Sequence, residues 1–111
     1  MDECIFCNLA QKKGLEKKFY DSKNFFVVED IKPVNKGHCL IISKKHFENI
    51  FYLPSNLGTE LMEIIKSQSN RLIDGKKADG IRIIVNNNHS AGQVVFHFHL
   101  HIIPYKNKIN F

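Results

Sequence analysis

Three histidines recur at every second position in Phe96-His97-Phe98-His99-Leu100-His101-Ile102-Ile103, with large apolar residues between them. Imidazole can ligate a metal, transfer a proton or attack as a covalent nucleophile, because its ordinary pKa of about 6.5 leaves much of it neutral near pH 7. Side chains alternate across a strand, so the spacing predicts the three imidazoles on one face and Phe96, Phe98, Leu100 and Ile102 in a core behind them. One metal cannot hold all three on such a strand. At a rise of ~3.3 Å per residue the outer pair stands about 13 Å apart, beyond the reach of two bonds of ~2.1 Å. At least one imidazole is left for other chemistry.

Cys4 and Cys7 form a Cys-x-x-Cys pair, close enough in sequence to share one metal ion or to act as a redox pair. The redox reading lacks the preceding strand it needs. Cys39 reads as a buried small hydrophobe. Three cysteines, an odd number, argue against a disulfide framework and fit a reducing compartment. No run approaches ~18 apolar residues and the first apolar stretch is broken by polar groups, so neither a signal peptide nor a membrane span is expected, and a cytoplasmic protein is. The net charge is +5 and the pI about 9.2, but the lysines come as scattered pairs at 12 and 13, 17 and 18, 44 and 45, and 76 and 77. Without an aromatic-interleaved basic stripe this predicts no nucleic-acid partner, only a mild attraction for phosphorylated small molecules.

The elements that would position these groups follow from periodicity. The 111 residues, 43% hydrophobic with nine Phe, suit a single domain over 1–111 with one modest core, which oligomerisation would help. Cys4 to Lys12 reads as a short helix with Ile5, Phe6 and Leu9 on its apolar side, ended by Lys13-Gly14. Strands are predicted at Lys18 to Asp21, Phe25 to Glu29 and, after a loop from Asp30 through Pro33 and Gly37, His38 to Ser43. Leu57, Leu61, Ile64, Ile65 and Leu72 recur at helical spacing between Ser55 and Asp74, with Gly75 where a C-terminal cap belongs. Two last strands, Ile81 to Val85 and Val94 to Ile103, flank the polar loop Asn86 to Gly92. The class is α+β: an antiparallel sheet of about five strands with one long helix and a short N-terminal helix.

His97 to Ile103 resembles the signature of the histidine-triad family, His, apolar, His, apolar, His, apolar, apolar, at every position. Cys4-Ile-Phe-Cys7, Val28-Glu-Asp30-Ile31, Gly37-His38, Ile41-Ile-Ser-Lys-Lys-His46, Val85-Asn86 and Gly92-Gln93 are similar to the family's other landmarks, in order. The pattern is nearest the branch that hydrolyses nucleoside phosphoramidates. The resemblance implies His99 as a nucleophile on the α-phosphorus of a nucleotide, with a nucleotidyl-histidine intermediate resolved by water. It places His101 and His38 at the phosphate, where they would neutralise charge or protonate the leaving group. It gives Asp30 to the ribose hydroxyls, Ile31 to the base, and Phe6, Leu9 and Val28 to an apolar base slot. Gly92 would allow close backbone approach, with Gln93 and Asn86 donating hydrogen bonds to phosphate or ribose.

Cys4, Cys7, His46 and His97 would make a closed Cys₂His₂ zinc site of structural kind, and no organic cofactor is implied. The implied partner is a purine nucleotide or nucleotide conjugate, and the implied assembly a homodimer whose two sheets run side by side. Two departures bear on turnover. Val94 stands where the phosphoramidate-cleaving branch usually has Ser or Thr, removing a hydroxyl that would assist the leaving group. The sequence given ends at Phe111, whereas that branch carries a longer tail. A diadenosine polyphosphate hydrolase, a nucleotide-binding regulatory module with little catalysis and a zinc-stabilised interaction domain are the alternatives; the last leaves His99 and His101 without a purpose.

Overall fold

A computed structural model describes residues 4–11 and 18–107, the side chain of Phe19 excepted. The elements in chain order are α1 (Ile5–Gln11), β1 (Lys18–Asp21), β2 (Phe25–Glu29), β3 (Cys39–Ser43), α2 (Gly58–Asp74), β4 (Gly80–Ile84) and β5 (His99–Tyr105). The five strands form one sheet in the order β1-β2-β3-β5-β4, antiparallel at every pairing. The expected architecture is thus the observed one. Lys12 and the Lys13-Gly14 stop lie outside the described residues.

Both faces of the sheet are covered, which explains why β2 and β3 read as continuous apolar runs rather than alternating ones. Phe25, Val27, Cys39, Ile41, Phe98, Leu100 and Ile102 point to one face, where Leu61, Ile64 and Leu72 of α2 close the main core. Phe26, Val28, Leu40 and Ile42 point to the other and pack with Phe6, Leu9 and Ala10 of α1. Cys39 is fully buried, as its sequence context suggested. Register completes the arrangement: His99 pairs with Ile42 and His101 with Leu40, so both imidazoles rise from the α1 face while Leu100 and Ile102 sink into the α2 face.

Several boundaries differ from expectation: α1 begins at Ile5 rather than Cys4, β3 at Cys39 rather than His38, β4 runs Gly80–Ile84 rather than Ile81 to Val85, and β5 ends at Tyr105 rather than Ile103. The helix expected from Ser55 begins at Gly58, because the residues after Pro54 wind as a 3₁₀ turn, Ser55–Leu57. At its other end the helix stops at Asp74 with Gly75 as its C-cap, as expected, but Gly75 has an ordinary φ of −77° and the left-handed residue is Lys76 at +60°. The amides of Lys76 and Lys77 reach back to the carbonyls of Ile73 and Leu72, the paired bonds of a Schellman stop, one residue later than the glycine. The last strand starts at His99, not Val94: the Phe98 amide donates to Phe47 and the carbonyl of Val95 is taken by the Gln93 side chain, so 94–98 lie outside it, with bends at 95–97. Phe96 is accordingly 42% exposed rather than in the core, and His97 precedes the strand instead of sharing it. Among the described residues no helix is long and apolar enough to cross a membrane.

Candidate active site and metal centre

A cavity of about 400 Å³ opens on the α1 face of the sheet, lined by Ile5, Phe6, Leu9, Val28, Glu29, Asp30, Ile31, Leu40, His99 and His101. All the residues expected to form the apolar slot are present, and so are the carboxylate of Asp30 and two triad imidazoles. Ile5, Glu29 and Leu40 were missed. Leu40 was legible in principle, since it shares a strand face with Val28 through their β2–β3 pairing.

Hydrogen bonds fix the protons of the triad. A carbonyl can only accept, so the contact of 2.8 Å between His99 Nδ1 and the His97 carbonyl puts a proton on Nδ1 of neutral His99. Its Nε2 then carries a lone pair at the cavity. His38 is held the other way round: the Val34 amide donates to Nδ1 at 3.0 Å, which places the His38 proton on Nε2. That Nε2–H lies 2.9 Å from His101 Nδ1 and 3.3 Å from Asp30 Oδ2. His101 therefore accepts on Nδ1 and keeps its own proton on Nε2, as a donor. Burial, reinforced by His99 and then His38, pushes the His101 pKa down to about 4, and burial also lowers that of buried His38. Neutral imidazole is the stable form of both near pH 7.

Asp30 Oδ1 accepts from the Lys32 amide at 2.9 Å, and its Oδ2 faces His38 and, at 3.8 Å, His101 Nδ1. Each carboxylate oxygen has more than one acceptor direction, so capacity for ribose hydroxyls is retained. Gly92 has a φ of +94°, a turn conformation that favours glycine, and Asn86 stands beside it. Gln93 has a different job from the donor role its sequence suggested. It is 2% exposed; its amide nitrogen donates to the carbonyls of Glu48 and Val95, and its oxygen accepts from Asn88 and Asn49. With both donor hydrogens spent, it braces the loop around 88–95. Asn86, Gly92, Gln93 and Val94 do not line the cavity, and Val94 is 84% exposed.

On the far side of Phe6 a second constellation gathers the side chains of Cys4, Cys7, His46 and His97, with donor atoms all within 4.8 Å of one another. Cys4 Sγ is 3.2 Å and Cys7 Sγ 3.4 Å from His97 Nδ1, and Cys7 Sγ is 3.2 Å from His46 Nδ1. The donor set fits a tetrahedral N₂S₂ metal centre. His97 passes a further test of fit: its Nε2–H donates to the buried Ser43 carbonyl at 2.6 Å, which turns the Nδ1 lone pair toward the sulfurs and supplies the outer hydrogen bond a ligating imidazole needs. The Cys7 amide also donates to Cys4 Sγ at 3.3 Å. Burial and the Cys4 thiol beside it push the metal-free Cys7 pKa up to about 11, opposite to the depressed value of a redox thiol.

Asp30, His38 and His101 also lie within metal-ligating distance of one another. They do not fit. The Val34 amide occupies His38 Nδ1, so the nitrogen facing the other two groups is the protonated one.

The chain matches the HIT domain family over residues 11–108. It is 31% identical to adenylylsulfatase HINT3 of Arabidopsis thaliana over 96% of its own length and 54% of that protein. Identity with adenosine 5'-monophosphoramidase HNT1 of Saccharomyces cerevisiae is 35%, over 91% of this chain and 61% of that one. The chain thus spans little more than half of either relative. A zinc-bound histidine triad family protein from Mycobacterium smegmatis has the same fold, with a TM-score of 0.87 and 30% identity over 96% of this chain and 77% of that one. Since the family match covers almost the whole chain and the three histidines stand in the expected order, this protein belongs to the histidine-triad (HIT) family.

Proposed function

We propose that the protein is a nucleotide hydrolase or nucleotidyl transferase that cleaves at the α-phosphate of nucleoside phosphoramidates or related adenylylated compounds. The observation that carries this reading is the bond from His99 Nδ1–H to the His97 carbonyl, which leaves a neutral imidazole lone pair at a cavity of nucleotide dimensions. The names of two relatives, an adenylylsulfatase and an adenosine 5'-monophosphoramidase, support hydrolysis at an adenylyl group.

In this mechanism the apolar slot takes the base, Asp30 the ribose hydroxyls, and the phosphate lies against His99 and His101. His99 Nε2 attacks the α-phosphorus, forming a P–N bond while the bond to the leaving group breaks. The Nδ1–H bond to the His97 carbonyl supports the positive charge that develops on the ring. His101 Nε2–H, held outward by the His38–His101 contact, donates to a phosphoryl oxygen or the departing atom. Water then attacks phosphorus, the P–N bond breaks, and His99 returns to the same tautomer with release of a nucleoside monophosphate. Two inversions retain configuration at phosphorus.

Zinc held by Cys4, Cys7, His46 and His97 would act structurally, tying α1 to the segments that carry the two histidines. A homodimer built through α2 and the edge of β4 that has no partner strand among the described residues completes the reading. The test is a panel of nucleotide conjugates, including adenosine phosphoramidates, adenylylsulfate and diadenosine polyphosphates, followed by ³¹P NMR. Release of nucleoside monophosphate from the first two supports the proposal. Binding without turnover of any member would replace it with a regulatory nucleotide-binding module.

A further inference from the structure

We infer that helix α1 couples the metal centre to the nucleotide cleft, so that zinc and a nucleoside monophosphate each raise the protein's affinity for the other. The inference rests on the functional reading above and adds a linkage between its two sites. The two residues between Cys4 and Cys7 are Ile5 and Phe6, and both line the nucleotide cavity. The Phe6 ring stands edge-on to both imidazoles that matter, 5.8 Å from His97 on the metal side and 5.0 Å from His99 on the cleft side. Leu9, one turn on from Ile5, is a third wall residue.

A helix of seven residues is far below the ~12–15 needed for even marginal stability alone. What holds α1 on the sheet is the small cluster around Phe6, Leu9 and Ala10 together with the two thiols. Zinc would fasten the N-terminal end of α1, and a nucleotide would cover the Ile5 side chain, now 60% exposed, on the same turn. Each ligand needs the same short segment ordered. The first to bind bears the ordering cost and the second finds the helix in place, which is positive coupling without any contact between the ligands. Such coupling is reciprocal by thermodynamic necessity.

The experiment uses the zinc-loaded chain with AMP as the probe. Zinc transfer to a chromophoric chelator is measured with and without saturating AMP, and AMP binding is measured by calorimetry on loaded and zinc-stripped protein. AMP is expected to tighten zinc binding about fivefold or more, and stripping to weaken AMP binding by the same factor. Free AMP itself complexes zinc and would hasten its loss, so protection cannot arise that way. Phe6→Leu and Ile5→Ala keep all four ligands and should bring both factors toward one. Where stripping unfolds the chain, the AMP dependence of zinc release and its loss in Ile5→Ala carry the result. Zinc affinity indifferent to AMP, in a protein that binds AMP, overturns the coupling and leaves the nucleotide reading standing. Full protection retained in both variants overturns α1 as the conduit. Failure of the loaded protein to bind AMP overturns both readings.

Discussion

His97 and His99 are joined by a bond of 2.8 Å from the Nδ1–H of His99 to the main-chain carbonyl of His97, while the His97 ring points away, its Nδ1 turned to the sulfurs of Cys4 and Cys7. One residue thus serves two sites with two different parts. Its side chain joins the Cys4, Cys7 and His46 group that could hold a metal, and its backbone selects the tautomer of His99, the proposed nucleophile.

The role of His101 separates chemistry from binding. His101→Asn should lower kcat by about 10²-fold or more, the usual cost of removing one preorganised donor to a developing charge, with AMP affinity changed far less. Single-turnover kinetics beside calorimetry checks the split; equal losses in both would assign His101 to ground-state binding.

The pKa values of His101 and His38 are depressed, so the unfolded chain binds more protons than the folded one between the ordinary histidine pKa and the folded value, which for His101 is about 4. Stability therefore rises with pH in that window. The contribution is complete above about pH 6.5 and is lost as pH falls toward 4. Imidazole proton shifts in NMR should show His101 neutral at pH 5, and thermal melts should show Tm falling from pH 7 to pH 5. A His101 titration near pH 6.5 would contradict the buried, histidine-flanked environment.

Much of this was legible in the sequence because burial on both faces makes strands into apolar runs and α2 into a 3.6-residue stripe. The candidate metal ligands and the slot residues were legible through the resemblance to the histidine-triad family, since Phe6, Leu9 and Val28 by themselves read as core and His46 as surface. The start of β5 was not legible, because alternation in Phe-His-Phe-His-Leu-His continues through a segment whose backbone partners are a side chain, Gln93, and a distant carbonyl, Phe47. Gln93 misled for the same reason: an amide after a glycine looks like a ligand-binding donor until its partners Glu48 and Val95, remote or irregular in sequence, are seen. Lys76 in the left-handed position beside an available Gly75 had no local signal at all.

Metal content gives a third expectation. Purified protein should hold one zinc per chain, and Cys7→Ser should not. At free zinc near 100 times its Kd, wild type should gain about 2.7 kcal/mol of stability that the variant lacks, read as a zinc-dependent rise in melting temperature. A wild-type melt indifferent to zinc and to a chelator would end the metal assignment while leaving the His99 chemistry untouched.

Assembly is the fourth. Among the described residues β4 pairs with β5 alone, and the exposed Met62 and Ile73 of α2 and Ile83 of β4 are large apolar groups for which a second copy is the proposed cover. Sedimentation velocity at micromolar concentration should give a dimer, and Ile83→Lys should shift it toward monomer. A wild-type monomer under those conditions would count against the dimer.

The most direct measurement of the central claim is rapid quench of the protein with excess adenosine phosphoramidate, followed by peptide mapping of the adenylyl group. The mechanism predicts a covalent adenylyl group on the His99 peptide within the first turnover, absent in His99→Asn, which still binds AMP through Asp30 and the apolar slot. Undiminished turnover in His99→Asn, or an adenylyl group trapped on a residue other than His99, would contradict it.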